Sequence, residues 1–240
     1  MRQSPVRCLI LIGYEEKLNQ CSRGTSEDDE LYGVGLSISY RGSSLGAEGM
    51  DFCSSVINCQ FDGSILLETG IHENGQGSES VMLLLLAEHL GVRLDRIKYK
   101  RSSTSNVPDG GTTVAPRGTI MGGGAVSAAA HKLKQLMADN LKDVLQCRPE
   151  EVRFEDDHVL GPDNESKITW DEAMQHLFLK RVYPYAFGSF QAPDVSWDEE
   201  TGQGDAYFTY VYSCQAVELT VNKSTGKIKL QNIVAAHDIG

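Results

Sequence analysis

One long amphipathic segment constrains the fold of this chain more than any other feature. From residue 124 to residue 147, apolar side chains recur at steps of three and four, the period of one helix face. Pro149 ends the pattern, because proline cannot continue a helix interior. We expect this helix to bury one face against a sheet that contains the hairpin of residues 56–69. The side chains predicted to lie on that face are Val126, Leu133, Met137 and Val144.

Alternating apolar residues elsewhere predict strands, most of them joined as hairpins. Residues 32–40 and 56–61 alternate with period two, and Asp62-Gly63 is a typical hairpin turn into residues 64–69. A longer strand is predicted over residues 207–221, followed by a turn and a returning strand over 227–236. Two short strands are expected at residues 152–154 and 158–160.

Local signals place two more helices. Residues 79–90 read as a helix closed by Gly91, since glycine favours the left-handed conformation that ends helices. Thr169 and Glu172 have the spacing of a capping box ahead of a helix over residues 173–180. Hairpins interleaved with a few helices predict an α+β fold with mixed or antiparallel sheets, packed helices and two lobes.

The predicted organisation has three parts. Residues 1–30 are interpreted as an N-terminal polar segment, partly mobile, because residues 15–30 are acidic and lack an apolar period. The ordered core is expected to begin near Leu31. A first lobe with glycine loops is predicted over residues 31–148, and a second lobe, truncated at its C-terminal end, over residues 149–240.

Charge and composition argue against several classes of protein. The formal net charge of -11 disfavours nucleic-acid binding, which usually needs a basic surface. No apolar run reaches the roughly 18 to 20 residues that span a bilayer, and the apolar run near the start precedes no cleavage site for a signal peptide. Six cysteines occur without a Cys-x-x-Cys pair, and the histidines are dispersed, so no metal site is predicted. These features indicate a cytoplasmic protein with reduced thiols.

Glycine-bearing loops are the candidate ligand sites. Residues 70–78 leave a predicted strand and open a helix, where backbone N–H groups can bind an anion. Residues 106–124 combine hydroxyls, glycines and one arginine ahead of the long helix, and residues 235–240 place polar side chains after a strand. Each loop alone is equally compatible with ordinary turns. No dinucleotide fingerprint, Walker motif or hydrolase elbow is present.

The order of the motifs resembles one family. Gly-Gln-Gly at residues 75–77, an Ala-Glu-His-Leu-Gly-Val helix end, and Asn-Val-Pro-Asp-Gly-Gly-Thr-Thr-Val-Ala-Pro-Arg-Gly-Thr at 106–119 resemble the molybdopterin-binding region of the xanthine dehydrogenase/aldehyde oxidase family. Glu-Thr-Gly-Gln-Gly at 200–204, the strand at 215–221 with the following Ser-Thr-Gly, and the final Ala-Ala-His-Asp-Ile-Gly match in the same order. The resemblance covers about residues 33–240.

The resemblance implies specific cofactor contacts. Gln76, between Gly75 and Gly77, matches a glutamine that contacts the pterin or its phosphate. Thr113, Val114 and Ala115 match a segment that lines the cofactor, and Arg117 and Gly118 match an Ala-Ser-Arg-Gly/Thr pattern. Pro116 stands where that pattern has serine, and proline has neither a hydroxyl nor an N–H group, so one hydrogen bond to the cofactor is missing.

The resemblance also implies what surrounds this segment. The family's catalytic glutamate lies downstream in a Gly-Glu-Pro-like motif, and its Gly-Gly-x-Phe-Gly-Gly loop is not found here. We therefore expect a fragment with no catalytic residue in this chain, inactive alone, from a molybdenum-dependent oxidoreductase that hydroxylates heterocycles or aldehydes. Its cofactors would be molybdopterin here, with iron-sulfur clusters and FAD on other domains or subunits. Its partners would be those domains, the rest of the molybdenum subunit and a small-molecule substrate, with no nucleic acid and no membrane.

Two questions stay open on sequence alone. A noncatalytic cofactor-binding or assembly module of the same fold is the alternative function, and Pro116 favours it. The side chain of Arg117 either reaches a ligand phosphate or braces its own loop through carbonyls and a carboxylate. We expect the two glycine loops to converge, with Gln76 and residues 113–118 facing one pocket and free N–H groups pointing outward from both helix starts.

Overall fold

Helices and hairpins are interleaved along the chain, as the α+β prediction requires. The computed structural model describes residues 3–23, 29–105, 107–163 and 165–238. Its α-helices are α1 (Gln3–Ile12), α2 (Tyr14–Arg23), α3 (Ser78–Leu90), α4 (Gly123–Leu145) and α5 (Trp170–Leu179). Its strands are β1 (Glu30–Gly42), β2 (Phe52–Cys59), β3 (Ile65–Thr69), β4 (Ile97–Tyr99), β5 (Arg153–Glu155), β6 (His158–Leu160), β7 (Lys167–Thr169), β8 (Tyr185–Gln191), β9 (Ser196–Asp198), β10 (Gln203–Asp205), β11 (Tyr210–Asn222) and β12 (Ile228–Asp238).

The chain divides into two compact units. The first combines Met1–Ser43 with Tyr207–Gly240, and the second is the continuous stretch Ser44–Ala206. This grouping differs from the predicted boundaries, because the predicted junction at residues 148 and 149 lies inside the second unit. The physical reason is that β1, from the N-terminal part, pairs along its whole length with β11, so the two ends of the chain share one sheet.

The first unit is an antiparallel sheet in the order β1-β11-β12. Strand β1 pairs with β11 from Glu30↔Asn222 to Gly42↔Tyr210. Strand β11 pairs antiparallel with β12, which confirms the long hairpin predicted after residue 207. Helix α1 packs on this sheet and buries Cys8 and Ile12 against Cys214 and Ala216.

Residues 15–23 of the polar N-terminal segment are helical, which corrects this part of the loop predicted for residues 15–30. Helix α2 has no long apolar stripe, and a tertiary ion pair between Lys17 and Glu218 attaches it to β11. Tyr32 donates a 2.8 Å hydrogen bond to the same carboxylate, and burial, followed by Glu218, raises the pKa of this phenol. The core also begins earlier than Leu31, since Cys8 and Ile12 are buried. Residues 24–28 of the acidic stretch lie outside the described residues.

The second unit is built on a sheet in the order β4-β3-β2-β8. Strands β2 and β3 form the predicted hairpin, with Gly63 at a φ of 82° in the turn. Strands β3 and β4 are parallel, and α3 makes the crossover between them that parallel pairing requires. Helix α3 ends at Gly91 in the left-handed conformation, as predicted.

Helix α4 crosses this sheet and buries three of the four side chains predicted for its inner face. Val126, Leu133 and Met137 are fully buried, whereas Val144 is 39% exposed, so that part of the prediction is wrong. Helix α4 also packs against α5, and Leu145 is buried in place of Val144 in the core cluster that contains Trp170.

A small antiparallel sheet, β5-β6-β7, leads into α5. The predicted capping box is present, since Glu172 N–H donates to Thr169 Oγ1 at 3.2 Å and Thr169 N–H donates to Glu172 Oε2 at 2.8 Å. Trp170 is fully buried, and its indole N–H donates to the Gly63 carbonyl at 3.0 Å. This bond ties α5 to the turn of the β2-β3 hairpin.

Candidate functional site

The two glycine loops meet at one edge of the second unit's sheet. The first loop follows β3, and the second follows β4 and continues to α4. Because β3 and β4 are parallel neighbours, their carboxyl ends lie at the same edge, so both loops leave the sheet side by side. The two loops therefore converge as predicted, and the parallel pairing explains it; the common pocket for Gln76 and residues 113–118 stays a prediction.

Direct contacts join the loops. The backbone N–H of His72 donates to Thr113 Oγ1 at 2.9 Å. A Cβ atom on Gly70 would overlap the backbone of Gly110, so only glycine permits this approach. Tyr99 Oη and Ser102 Oγ each donate to the Ile71 carbonyl at 2.8 Å, which holds the first loop over the end of β4.

Gln76 is exposed but folded into its own loop. Its Nε2 donates to the carbonyl of His72 at 2.9 Å and to Ser78 Oγ at 2.6 Å. Its Oε1 accepts a 2.5 Å hydrogen bond from the Asn74 N–H. The amide that the sequence comparison places against a cofactor thus shapes the loop between β3 and α3 in this structure.

The start of α3 carries an anion of its own, which corrects the prediction of free N–H groups there. Glu73 Oε1 accepts hydrogen bonds from Gly75 N at 2.7 Å and Gly77 N at 3.0 Å, and its Oε2 accepts one from Glu79 N at 2.9 Å. The bonds from Glu79 and Gly77 hold the pKa of Glu73 below its ordinary value. The sequence signal that was missed is an acidic side chain four residues before the helix N-cap.

The second loop keeps free donors. Within the described part of the chain, the backbone N–H groups of residues 112–115 have no protein acceptor. Thr112, Val114 and Ala115 are exposed, so these donors are open to a ligand. Ala115 has a φ of 50°, a conformation that is strained for a residue with a Cβ and that clusters at ligand sites.

Arg117 adopts the bracing orientation. Its guanidinium is fully buried, and its Nε donates to Asp51 Oδ1 at 2.6 Å. Its Nη1 donates to the Thr112 carbonyl, and its Nη2 donates to the Phe52 carbonyl at 2.8 Å. The side chain therefore points into the protein and not toward a ligand phosphate, which settles the question left open by the sequence.

Asp51 is the buried partner of this arginine. Burial by itself would raise its pKa, but the hydrogen bond from Arg117 and those from the Leu45 and Gly46 N–H groups lower it overall. The carboxylate is therefore ionised at neutral pH and matches the charge of the guanidinium.

Two cavities lie beside the loops, and neither is lined by the eight residues predicted as cofactor contacts. One, of about 520 Å³, is bounded by His72, Ser102 and residues 107–111. The other, of about 310 Å³, shares His72 and Ser102 and adds Glu73 and Arg101. The sequence analysis missed these wall residues, although the Ser-Ser-Thr-Ser run at 102–105 is a polar signal next to the glycines.

The remaining predicted residues are placed as follows. Gly75 and Gly77 have φ values of 96° and 86°, so both use the left-handed region. Gly118 opens a π-helical turn over Gly118–Gly122 that leads into α4, and a Cβ there would lie 3.3 Å from Ser78 Oγ. His237 and Asp238 belong to β12 in the other unit, while residues 239 and 240 of that motif and Asn106 lie outside the described residues.

Side chains suited to a resident metal do not cluster. Among the described residues no group of three or more histidine, cysteine, aspartate or glutamate side chains is placed to hold a metal ion. All six cysteines are free thiols, and burial raises the pKa of Cys59 to about 12. No helix in the described ranges is long and apolar enough to cross a membrane.

Comparisons with known proteins point in one direction. A family model described as "Molybdopterin cofactor-binding domain" matches residues 7–240. Aldehyde oxidase 4 of Mus musculus is 27% identical over 177 residues, or 74% of this chain and 12% of the relative. Xanthine dehydrogenase of Drosophila pseudoobscura pseudoobscura is 26% identical over 215 residues, or 89% of this chain and 14% of the relative. The chain thus spans about an eighth of these proteins.

A solved structure shares the fold. The Cu,Mo-CO dehydrogenase in its carbon monoxide reduced state superposes with a TM-score of 0.80 at 21% sequence identity. The match covers 98% of this chain and 30% of that one. It confirms that the α+β arrangement is that of a segment within a larger chain.

Proposed function

The chain belongs to the molybdopterin cofactor-binding domain family, and from this membership we propose that it supplies part of the cofactor-binding surface of a molybdenum hydroxylase. The observation that carries the proposal is the run of N–H groups without a protein acceptor at residues 112–115, in a loop that the bond from His72 to Thr113 joins to the loop of Gln76. A pterin ring and its phosphate present oxygen and nitrogen acceptors, which suit backbone donors of this kind.

The residues of the second loop fit a pterin and its phosphate better than those of the first loop. Thr113, Val114 and Ala115 offer backbone donors, and Gly118 lets this loop lie close to Ser78 at the start of α3. At the first loop, Gly75 and Gly77 already donate to Glu73, and Gln76 must exchange its bond to His72 for one to the ligand. Arg117 acts on the cofactor through the loop that it braces.

The wider assignment also belongs to this proposal. Relatives named aldehyde oxidase and xanthine dehydrogenase support an enzyme that oxidatively hydroxylates an aldehyde or a heterocycle at molybdenum. The general base, the metal's other contacts, the iron-sulfur clusters and FAD would come from other parts of the protein or from partner subunits. We place the enzyme in the cytoplasm.

The test uses the intact protein that contains this chain. The variant Gln76→Ala should carry less molybdenum and less pterin than the wild type, with little change in Tm, because a loop contact contributes to binding more than to core stability. Gln135→Ala is the matched control, since Gln135 is an exposed glutamine on α4 whose side chain donates to Asp139. Unchanged pterin content in Gln76→Ala would contradict the assigned contact.

One observation favours a second candidate, a noncatalytic module of the same fold. Pro116 and the Glu73 carboxylate both remove hydrogen bonds that a cofactor would otherwise receive. Metal and pterin analysis of the intact wild-type protein, followed by a hydroxylase assay, separates the candidates. Bound pterin with turnover supports the enzyme, and absence of both supports the module.

A further inference from the structure

The geometry points to Asp51 as a positioning residue that orients the ligand-facing N–H group of Thr113 through Arg117. This inference deepens the proposed function and rests on it for the identity of the ligand. It concerns a residue 60 or so positions from the loop in sequence, outside every motif that the family resemblance used.

The first step is the burial of the pair. Arg117 is fully buried, and the Asp51 side chain is 5% exposed, with 2.6 Å between Nε and Oδ1. The second carboxylate oxygen accepts from Leu45 N at 2.7 Å and Gly46 N at 3.3 Å. Asp51 is therefore held from two directions, so it fixes the position of the guanidinium that it contacts.

The other two nitrogens of the guanidinium donate to two backbone carbonyls. Nη1 donates to Thr112 O, Nη2 donates to Phe52 O, and a Cβ on Gly111 would lie only 3.1 Å from Nη2. The planar group thus fills the space beneath residues 111 and 112. It also ties the loop to β2, which runs through the centre of the sheet.

The trans peptide bond fixes the direction of each N–H relative to the carbonyl before it. In a trans peptide the C=O and N–H groups point in opposite directions, and the described chain has no cis peptide. Because the Thr112 carbonyl turns toward Arg117, the N–H of Thr113 turns away from it. The Val114 carbonyl accepts from the Arg117 N–H at 3.2 Å, so the N–H of Ala115 also turns away.

These steps make one mechanical link. Asp51 fixes the position of the guanidinium, and the guanidinium fixes the direction of the Thr112 carbonyl. That carbonyl in turn fixes the direction of the Thr113 N–H. Removing the pair frees the loop without removing any atom that touches a ligand.

Two variants test the link. In Asp51→Asn, an NH₂ group replaces one carboxylate oxygen and would face either the Arg117 donors or the N–H groups of Leu45 and Gly46. One of these two sets of hydrogen bonds is therefore lost. Arg117→Lys keeps the charge, but a single ammonium cannot reproduce the fork to Thr112 and Phe52. The lysine variant covers the case in which Asp51→Asn fails to fold.

Arg96→Lys is the matched control, because Arg96 forms a partly buried pair with Asp157 and Asp171.

The first readout is amide hydrogen exchange of the N–H at position 117, which donates to the Val114 carbonyl at 3.2 Å, in the intact protein and without added cofactor. We expect exchange about tenfold faster in Asp51→Asn and Arg117→Lys than in the wild type, and unchanged in Arg96→Lys. Equal exchange in all four proteins would overturn the inference, whatever the ligand is.

The second readout is the fraction of pterin retained after gel filtration below the Tm of every variant. Asp51→Asn and Arg117→Lys should retain about a tenth of the wild-type pterin, whereas Arg96→Lys should lose only thermal stability. Equal losses in Arg96→Lys would reduce Asp51 to a structural role and overturn the inference. A wild type without pterin would refute the proposed function, and the exchange experiment would still decide on the link.

Discussion

Oγ1 of Thr113 accepts a 2.9 Å hydrogen bond from the backbone N–H of His72, 41 residues earlier in the chain. This bond joins the two glycine loops directly. It exists because β3 and β4 are parallel, which brings the loops that follow them to one edge of the sheet. The Thr113 side chain therefore connects the loops while its backbone N–H stays free.

The first prediction concerns that hydroxyl. Thr113→Val keeps the shape of the side chain but leaves the His72 N–H without an acceptor, so the loops should separate more easily. We expect a loss of about 1 kcal/mol in the free energy of unfolding by urea, together with lower pterin content in the intact protein. Thr113→Ser retains the hydroxyl and should behave like the wild type; a loss of similar size in the serine variant would contradict the assignment to this bond.

The second prediction concerns the acid range and Glu73. Hydrogen bonds from Glu79, Gly77 and Gly75 lower the folded-state pKa of this carboxyl below its ordinary value of 4.5. A depressed folded pKa contributes stability that is complete above the unfolded pKa and is lost as pH falls through the folded pKa. The urea midpoint of the wild type should therefore fall more steeply below pH 4.5 than that of Glu73→Gln. Parallel pH profiles would show that the carboxylate does not cap α3.

The third prediction compares the two tryptophans. Trp170 is fully buried, and its indole N–H bonds to Gly63 O, so Trp170→Phe removes that bond and leaves a void. We expect a loss of about 2 kcal/mol in urea unfolding. Trp197 is 42% exposed, and Trp197→Phe should change the free energy of unfolding by less than about 0.5 kcal/mol. Comparable losses at both positions would be inconsistent with the packing described.

The fourth prediction compares two strand glycines. A Cβ on Gly188 of β8 would overlap the backbone nitrogen of Ala129 in α4, so Gly188→Ala must push the helix off the sheet. We expect a loss of about 1–3 kcal/mol in the free energy of unfolding. Gly35 of β1 has no atom within 4 Å of an added Cβ, and Gly35→Ala is the control that should be nearly neutral. A well-tolerated Gly188→Ala would place α4 further from β8 than the structure has it.

Much of the fold was determined locally, and the sequence alone was sufficient for it. The left-handed Gly91 ends α3, and the capping box of Thr169 and Glu172 begins α5, because both act through atoms only a few residues apart. The periodic spacing of apolar residues predicted helix α4 and the hairpins. Such spacing indicates that one face is buried, whichever element packs against it. The order of the motifs likewise identified the family.

Tertiary structure decided what depends on distant partners. Helix α2 has no apolar stripe and is attached by an ion pair to Glu218, about 200 positions away, while Val144 is exposed because the end of α4 meets a different surface. The sequence was compatible with an Arg117 side chain that either braces its own loop or binds a ligand phosphate. The buried Asp51 holds the side chain in the bracing orientation. Local patterns carry propensities and periods, but the direction of a long polar side chain is set by whichever charge or carbonyl folding brings within 3 Å.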